Sequence, residues 1–596
     1  MWKSYFTFTK RHIKRNYTNY LINFWGLVVS IAAVILISLY VIQQFKHDTT
    51  QKKKNRIYRI ELDNSWALAS IIHGPMLHTN IPEIENYVRF VNYYDDIPLK
   101  AGDIIKKTDN LHFVDTSFFN IFTCKFILGN AKNAFKQKNA IILTDNMSKT
   151  LFGKENPIGK TITTINKEKK DTFIVSAIIE NPKDFHLKID AITNINRIIK
   201  RIPESSFRTF EGWNYPTYFL LKSSNINITK LENKIKNFIK EHPYNSKKQD
   251  RIVSLRPMND IYFDYKGEYE TGNVRHSNFN NLITLIGIAI LILIISCINF
   301  INLNIAKSSL RHKEIGLRKV IGSSNLQIIS MIAFEMFLTS ILAVIFGVGI
   351  ANLTLSLFSK IIGVELLFHL QKPILFILIG IIIFTTLFAG LPSGISLANK
   401  SINKLLSGEN TKGNKGNKFR NILLSFQYFA SAILMIASLL LVLQLNHLTN
   451  KKPGFKQEEI IVLKSDKNIN DKFHVFQNEI SKINGIKSLT TCNELVGDVL
   501  WTNAFEKEDG TQFSYRGMIV TENFPEVFGL KILEGETFKK GDKNVCLISE
   551  KTKQALNLQV DELNQKKYLH QKCKGVIRNF YYNSLHNNLC IFDEDI

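Results

Sequence analysis

Few residues in this chain are spaced to do chemistry, and the spacing limits each one. Gly153, Gly159, Lys160 and Thr161 are arranged like a phosphate-cradling loop, in which glycines let backbone N–H groups wrap an anion. Here the glycines stand one residue too far apart and Pro157 interrupts them, so a turn between a helix and a strand is the expected reading. There is no HExxH metal pair and no GxSxG nucleophile elbow. His47, His73, His78 and His186 are scattered through polar sequence and read as solvated loop residues. The six cysteines (Cys124, Cys297, Cys492, Cys546, Cys573, Cys590) lack metal-ligand spacing. Cys297 lies in an apolar run and reads as a small apolar residue. The four cysteines after residue 490 could pair if that segment lies outside the cytoplasm, although nothing in their spacing demands it. Together these absences leave little support for an enzyme, for a bound cofactor or for a metal site.

Two features remain. Glu335 is a carboxylate in the apolar run 326–358, where a charge is expensive and is a functional candidate by default. It stands near the start of that run, within reach of water or of a basic neighbour, so packing and anchoring are favoured over carrying an ion. The second feature is the charged stretch Arg311, His312, Lys313, Glu314, Ile315, Gly316, Leu317, Arg318, Lys319, Val320, Ile321 and Gly322. Its alternation of charge with Ile315, Leu317, Val320 and Ile321 predicts a short helix with one apolar side, suited to a membrane surface or to a groove in another protein.

Apolar elements hold both features in place. Runs at 21–42, 282–305, 326–358, 374–397 and 422–445 are each long enough to cross a bilayer core, which needs roughly 20 residues. Basic segments precede the first run, separate the second from the third and fill 398–421, and excess Lys and Arg marks the cytoplasmic side. Residues 1–20, 306–325 and 398–421 are therefore expected inside, and 43–281 and 446–596 outside. Gly390 and Pro392 predict a kink where the fourth run ends. A net charge of +25 would suggest nucleic acid in a soluble protein, but the lysines are scattered and form no basic stripe with interleaved aromatics. At 596 residues and 45% hydrophobic content, the chain reads as a membrane protein carrying large water-exposed domains.

Those external segments alternate β-rich runs such as 56–62, 173–179 and 218–221 with helical patterns such as 228–239, which indicates α+β domains. They also repeat. Asn523, Phe524, Phe528, Leu533 and Gly535 parallel Ser117, Phe118, Phe122, Leu128 and Gly129, and the stretch 575–580 echoes 176–182. An internal duplication of one span plus one external domain is the economical reading.

These residues resemble the MacB/FtsX-type ABC transporter permease family in its duplicated eight-span form. The likeness is carried by residues 22–27, by Phe152 to Lys160, by the elbow Lys313 to Lys319 with Gly322, and by Phe426, Gln427, Gln444, Gly454 and Phe455. It implies an α-helical transmembrane protein with about five spans and two α+β extracytoplasmic MacB-like domains, in the inner membrane. By the family's template the elbow is the coupling helix docked on a separate cytoplasmic ATPase, so ATP is used by the partner and not by this chain. Residues 406–410 are similar to an ABC ATPase signature, but no phosphate loop accompanies them and they read as linker. The resemblance assigns ATPase coupling to Arg311, Lys313, Glu314, Ile315, Gly316, Leu317, Arg318, Lys319 and Gly322. Glu314 and Arg318 are expected to make charged contacts, Ile315 and Leu317 the buried contact, and Gly316 and Gly322 to permit close approach. The template continues past residue 596, so truncation, a homodimer or another chain supplying the remaining spans are all accommodated, as is a periplasmic adaptor. Export or handling of an envelope component is the expected role; a membrane sensor or scaffold without transport is the alternative.

Overall fold

The computed structural model describes residues 17–593 apart from 64–65, 93–96, 167–168, 183, 212–214, 246–250, 264–273, 307, 369–371, 403–413, 452, 464, 466–468, 470–471, 495, 497–501, 507–511, 540, 543, 558–566, 569–570 and 581–588. The chain divides into two compact units, Met1–Met435 and Ile436–Ile596.

The first unit begins with α1 (Tyr17–Phe45), a helix rich in Ile, Val and Leu. The chain then forms a sheet from β1 (Ile57–Leu62), β2 (Ile84–Asn92), β3 (Ile97–Ala101), β4 (Ile104–Thr108), β5 (Leu111–Val114), β6 (Phe126–Leu128), β7 (Ala140–Thr144), β8 (Thr161–Asn166), β9 (Lys169–Ile179), β10 (Ala191–Asn194), β11 (Thr217–Leu221) and β12 (Val253–Pro257). Their order is β12-β1-β11-β2-β5-β10-β7-β9-β8-β3-β4, with β6 alongside β9. Helices α2 (His73–Asn80), α3 (Asp145–Phe152) and α4 (Ile228–Glu241) complete the domain. The apolar stripe of α4 buries Leu231, Ile235 and Ile239, four residues apart, while the Asn227 side chain caps its start by accepting from Lys230 N at 3.0 Å. On one side of the sheet that stripe joins Ile60, Leu99, Leu143 and Phe219. On the other, Phe90, Phe118, Phe122, Phe185 and Tyr218 form a second buried cluster.

The sheet is followed by α5 (Phe279–Ala306), the elbow helix α6 (Ser308–Val320), α7 (Asn325–Ile362), α8 (Lys372–Ala398) and α9 (Asn414–Asn450). With α1, the helices α5, α7, α8 and α9 make five that are long and apolar enough to cross a membrane. Small residues set their spacing. A Cβ on Gly347 of α7 would lie 2.9 Å from Ile31 of α1, and one on Gly390 or Gly394 of α8 would lie 3.1 Å from the backbone of Ala333 or Ile329 in α7. The expected kink at Gly390 and Pro392 is instead a π-turn at Thr386–Gly390, after which the helix continues to Ala398. Proline supplies no N–H, and the wider turn absorbs that loss without ending the helix.

In the second unit, β13 (Thr502–Glu506), β14 (Gln512–Val520), β15 (Ile532–Gly535), β16 (Val545–Ser549), β17 (Lys567–Tyr568), β18 (Gln571–Ile577) and β19 (Leu589–Asp593) pair in the order β13-β14-β19-β16-β18-β15, with β17 beside β18 and helix α10 (Glu550–Ala555) after β16. The run β14-β19-β16-β18-β15 repeats β5-β10-β7-β9-β6 of the first unit. In both, the successive pairings are parallel, antiparallel, parallel and antiparallel. Gly129 (φ +80°) and Gly535 (φ +75°) occupy matching places, and each has the carbonyl of a β9 or β18 residue, Ser176 or Lys574, where a Cβ would go.

Candidate functional site

At the elbow, two well-defined helix ends meet. Helix α6 closes with Ile321 N donating to Leu317 O at 3.0 Å and Ser323 N to Arg318 O at 2.9 Å, while Gly322 takes φ +97°. Helix α7 opens on a capping box: Ser324 Oγ accepts from Gln327 N at 3.3 Å, and Gln327 Oε1 accepts from Ser324 N at 3.0 Å. The turn is therefore fixed by its own hydrogen bonds on both sides.

The side chains of α6 divide into two sets. Ile315 is fully buried among Ile328 and Ile332 of α7 and Leu397 and Ala398 of α8. Lys319 reaches the end of α8, donating to the carbonyl of Lys400 at 3.0 Å and to that of Ala398. Leu317 is 57% exposed, Val320 58% and Ile321 77%. Glu314 and Arg318 form an i,i+4 pair at 3.3 Å on the accessible side. Gly316 is buried. For Arg311, His312 and Lys313 the backbone lies within α6, and their side chains, like the 406–410 linker, fall outside the described residues.

Two of the expected coupling residues face inward: Ile315 is buried within this chain, and Lys319 donates to the C-terminal end of α8. Gly322 faces open space within this chain and takes a left-handed turn that a side chain would strain. Glu335, expected to pack or to anchor the elbow, is 2% exposed among Met336, Thr339 and Ser340 on the inner side of α7. Thr339 Oγ1 donates to the Glu335 carbonyl at 2.8 Å, and nearby Thr385 of α8 donates to Ser340 Oγ at 2.8 Å. The Gly153–Lys160 stretch is the expected turn: Gly153 ends α3 at φ +62°, Gly159 turns at φ +80°, and Lys160 pairs with Glu155.

A second constellation joins α1 to the sheet, and little in the sequence points to it. Asp48 sits three residues beyond α1 with φ +60°. Its Oδ1 accepts from His186 N at 3.1 Å and lies 2.9 Å from His186 Nδ1, while His186 Nε2 lies 3.0 Å from the Tyr218 hydroxyl. All three side chains are buried. The Tyr262 hydroxyl donates to Gln44 Oε1 of α1, and the His47 ring stacks on Tyr262 at 3.8 Å. Burial pushes the His47 imidazole down and the Tyr262 phenol up to about 12, so this stack is neutral near pH 7. Phe45, Phe263 and Phe279 close the joint with ring centroids 5.4–6.1 Å apart, tying the end of α1 to the start of α5.

Of the four histidines read as solvated, only His78 is exposed. His186 is in the joint, and His73 is buried, with Nδ1 accepting from Ser70 N at 3.0 Å. The one available signal was weak. His47 and Asp48 follow the apolar run 21–42 after only four residues, none of them Gly or Ser.

An α+β domain inserted between the first and second of a series of long apolar helices, with a capped basic elbow after the second, defines a permease-type membrane protein. A model of the MacB-like periplasmic core domain matches residues 20–237, and one of the FtsX-like permease C-terminal region matches residues 286–402. The chain belongs to the MacB/FtsX-type permease family, whose members are inner-membrane proteins with periplasmic domains. Among solved structures it is similar to a domain of a putative permease protein from Porphyromonas gingivalis (14% identity, 39% of this chain and 99% of that one, TM-score 0.30). It is also similar to the periplasmic region of MacB from Actinobacillus actinomycetemcomitans (15% identity, 35% and 90%, TM-score 0.26). A third is the extracellular domain of the noncanonic ABC-type transporter YknZ from Gram-positive bacteria (13% identity, 33% and 98%, TM-score 0.24). No curated protein matches.

Proposed function

We propose that this chain is the permease subunit of an ABC transporter, moved by a separate cytoplasmic ATPase and acting in export or in handling an envelope component. The five apolar helices are its spans, with the elbow inside and both sheets outside. Basic residues around the elbow and before α1 support that orientation, and the repeated strand order supports the same placement for the second sheet as for the first.

The observation that carries this reading is the two-sided elbow. Its inner side is fastened to α7 and α8 through Ile315 and Lys319, and its outer side presents Leu317, Val320 and Ile321 with the Glu314–Arg318 pair. A push on the outer side is transmitted to the ends of two spans, because neither the capped turn nor the buried isoleucine can yield independently. Apolar side chains ringed by charge are the composition of a protein contact. At the far end, the joint at Asp48 and His186 fastens α1 to the sheet, so movement of the helices is passed to the outside domain.

The test uses a double variant, Leu317→Asp with Ile321→Asp, in the full chain. Nucleotide hydrolysis that co-purifies with the wild-type chain from its native membranes should be lost, with membrane insertion unchanged. Equal ATPase recovery with the variant would sink the elbow as the docking surface. Absence of any ATPase from wild-type preparations would favour a sensor or scaffold.

A further inference from the structure

Two of the cysteines lie side by side in the second sheet. Cys546 of β16 and Cys573 of β18 are directly paired residues on neighbouring parallel strands, just before the register slips between Cys546 and Leu547. Residues so paired are separated by the strand spacing of about 4.8 Å, which falls inside the window of roughly 4.4–6.8 Å between Cα atoms that a disulfide requires. Both side chains are fully buried in one cluster, on the same side of the sheet as Phe513, Tyr515, Ile548 and Val576. The Cys573 thiol donates to the Gly575 carbonyl at 3.7 Å. Cys124 and Cys297 belong to the first unit, and Cys492 lies against the opposite cluster with Phe524 and Phe528.

We infer that Cys546 and Cys573 form a cross-strand disulfide that closes the strand–helix–strand segment β16-α10-β18. The inference rests on the placement of the second sheet outside the cytoplasm, where thiols in contact meet disulfide-carrying oxidants. The chemistry is thiol–disulfide exchange with such an oxidant. One cysteine thiolate attacks a sulfur of the oxidant's disulfide and expels a thiolate, giving a mixed disulfide. The second cysteine thiolate then attacks the chain's sulfur in that mixed bond and expels the oxidant's other thiolate. Two protons and two electrons leave the chain, and the oxidant's disulfide is reduced to two thiols. Because both sulfurs are buried once the sheet has closed, the exchange belongs to folding, while β16 and β18 are still open to solvent. The bond then restricts the unfolded chain between them and stabilises the sheet.

The full chain is isolated from membranes with its thiols trapped by acid, unfolded and labelled with a mass-tagged maleimide. With six cysteines in the sequence, the inference expects four tags without reductant and six after it. Cys546→Ser should carry five tags in both conditions. Cys590→Ser, whose β19 position pairs with Ile548 and not with a cysteine, should carry three and then five. A peptide linked through Cys546 and Cys573 completes the assignment. Six tags on the unreduced wild-type chain, or a link through another pair, overturns it. Protease added to spheroplasts reports separately on placement: six tags with a cleavable C-terminal segment defeats the disulfide alone, whereas six tags with a protected segment defeats the outside placement as well.

Discussion

Burial sets the behaviour of the external domain's histidines one residue at a time. His73 and His112 are fully enclosed, and desolvation pushes each imidazole down to about 4. The contacts agree with neutral rings. Nδ1 of His73 lies 3.0 Å from Ser70 N and 3.3 Å from the Ser70 carbonyl, and His112 Nε2 lies 2.6 Å from the Lys188 carbonyl as a donor. In the unfolded chain both rings protonate near 6.5, so between about 6.5 and 4 the unfolded state binds more protons. The neutral histidines therefore contribute stability that is complete above pH 6.5 and fades as pH falls towards 4, on the order of 3 kcal/mol each. Thermal unfolding of the purified chain should shift to lower temperature from pH 7 to pH 5, and His112→Gln, which keeps a donor for Lys188, should flatten the slope. A midpoint that does not move with pH would show that these rings are protonated in the folded domain.

Sequence pattern reveals an element when its period is the packing requirement, and it fails where contacts join distant parts of the chain. The apolar runs and the α4 stripe at Leu231, Ile235 and Ile239 state their structure directly. The repeat that equates Gly129 with Gly535 was legible because a glycine under a neighbouring strand's carbonyl has no substitute. Nothing local could show that Ile315 packs on α7 and α8 and not on a partner, since an apolar residue on an amphipathic helix suits either. Nor could the sequence bring His186 to Asp48 across 138 residues. The same distinction explains Gly390, read with Pro392 as a kink but placed, like Gly394, where α8 touches α7. Gly394→Val would force its side chain against the Ile329 backbone, 3.1 Å from the Cβ position, with no flexible atom to give way. Separating the helices should cost about 1–3 kcal/mol and lower the unfolding temperature in detergent. Gly287→Val in α5, where a Cβ meets nothing within 4 Å, is the matched control and should change little.

At the scale of the whole first unit, the proposed mechanism requires two fastenings: the elbow to the long apolar helices, and those helices to the sheet. The second depends on a compact polar joint and an aromatic clamp, and that concentration makes it vulnerable. Asp48→Ala removes the acceptor for both the His186 backbone N–H and its Nδ1, and places alanine at φ +60°, where a Cβ is disfavoured. The local cost is about 1–3 kcal/mol, the amount lost when a buried donor is left without its acceptor. By contrast, the Lys125–Glu180 pair is exposed on both sides and its removal should be nearly silent. If the joint carries movement outward, Asp48→Ala should leave insertion and co-purifying ATP hydrolysis in place while abolishing any nucleotide-dependent change in protease sensitivity of the external domain. Lys125→Ala should retain that change. A domain that still responds to nucleotide in Asp48→Ala would move the path of transmission elsewhere, to the Phe45–Phe263–Phe279 clamp, which the substitution leaves intact.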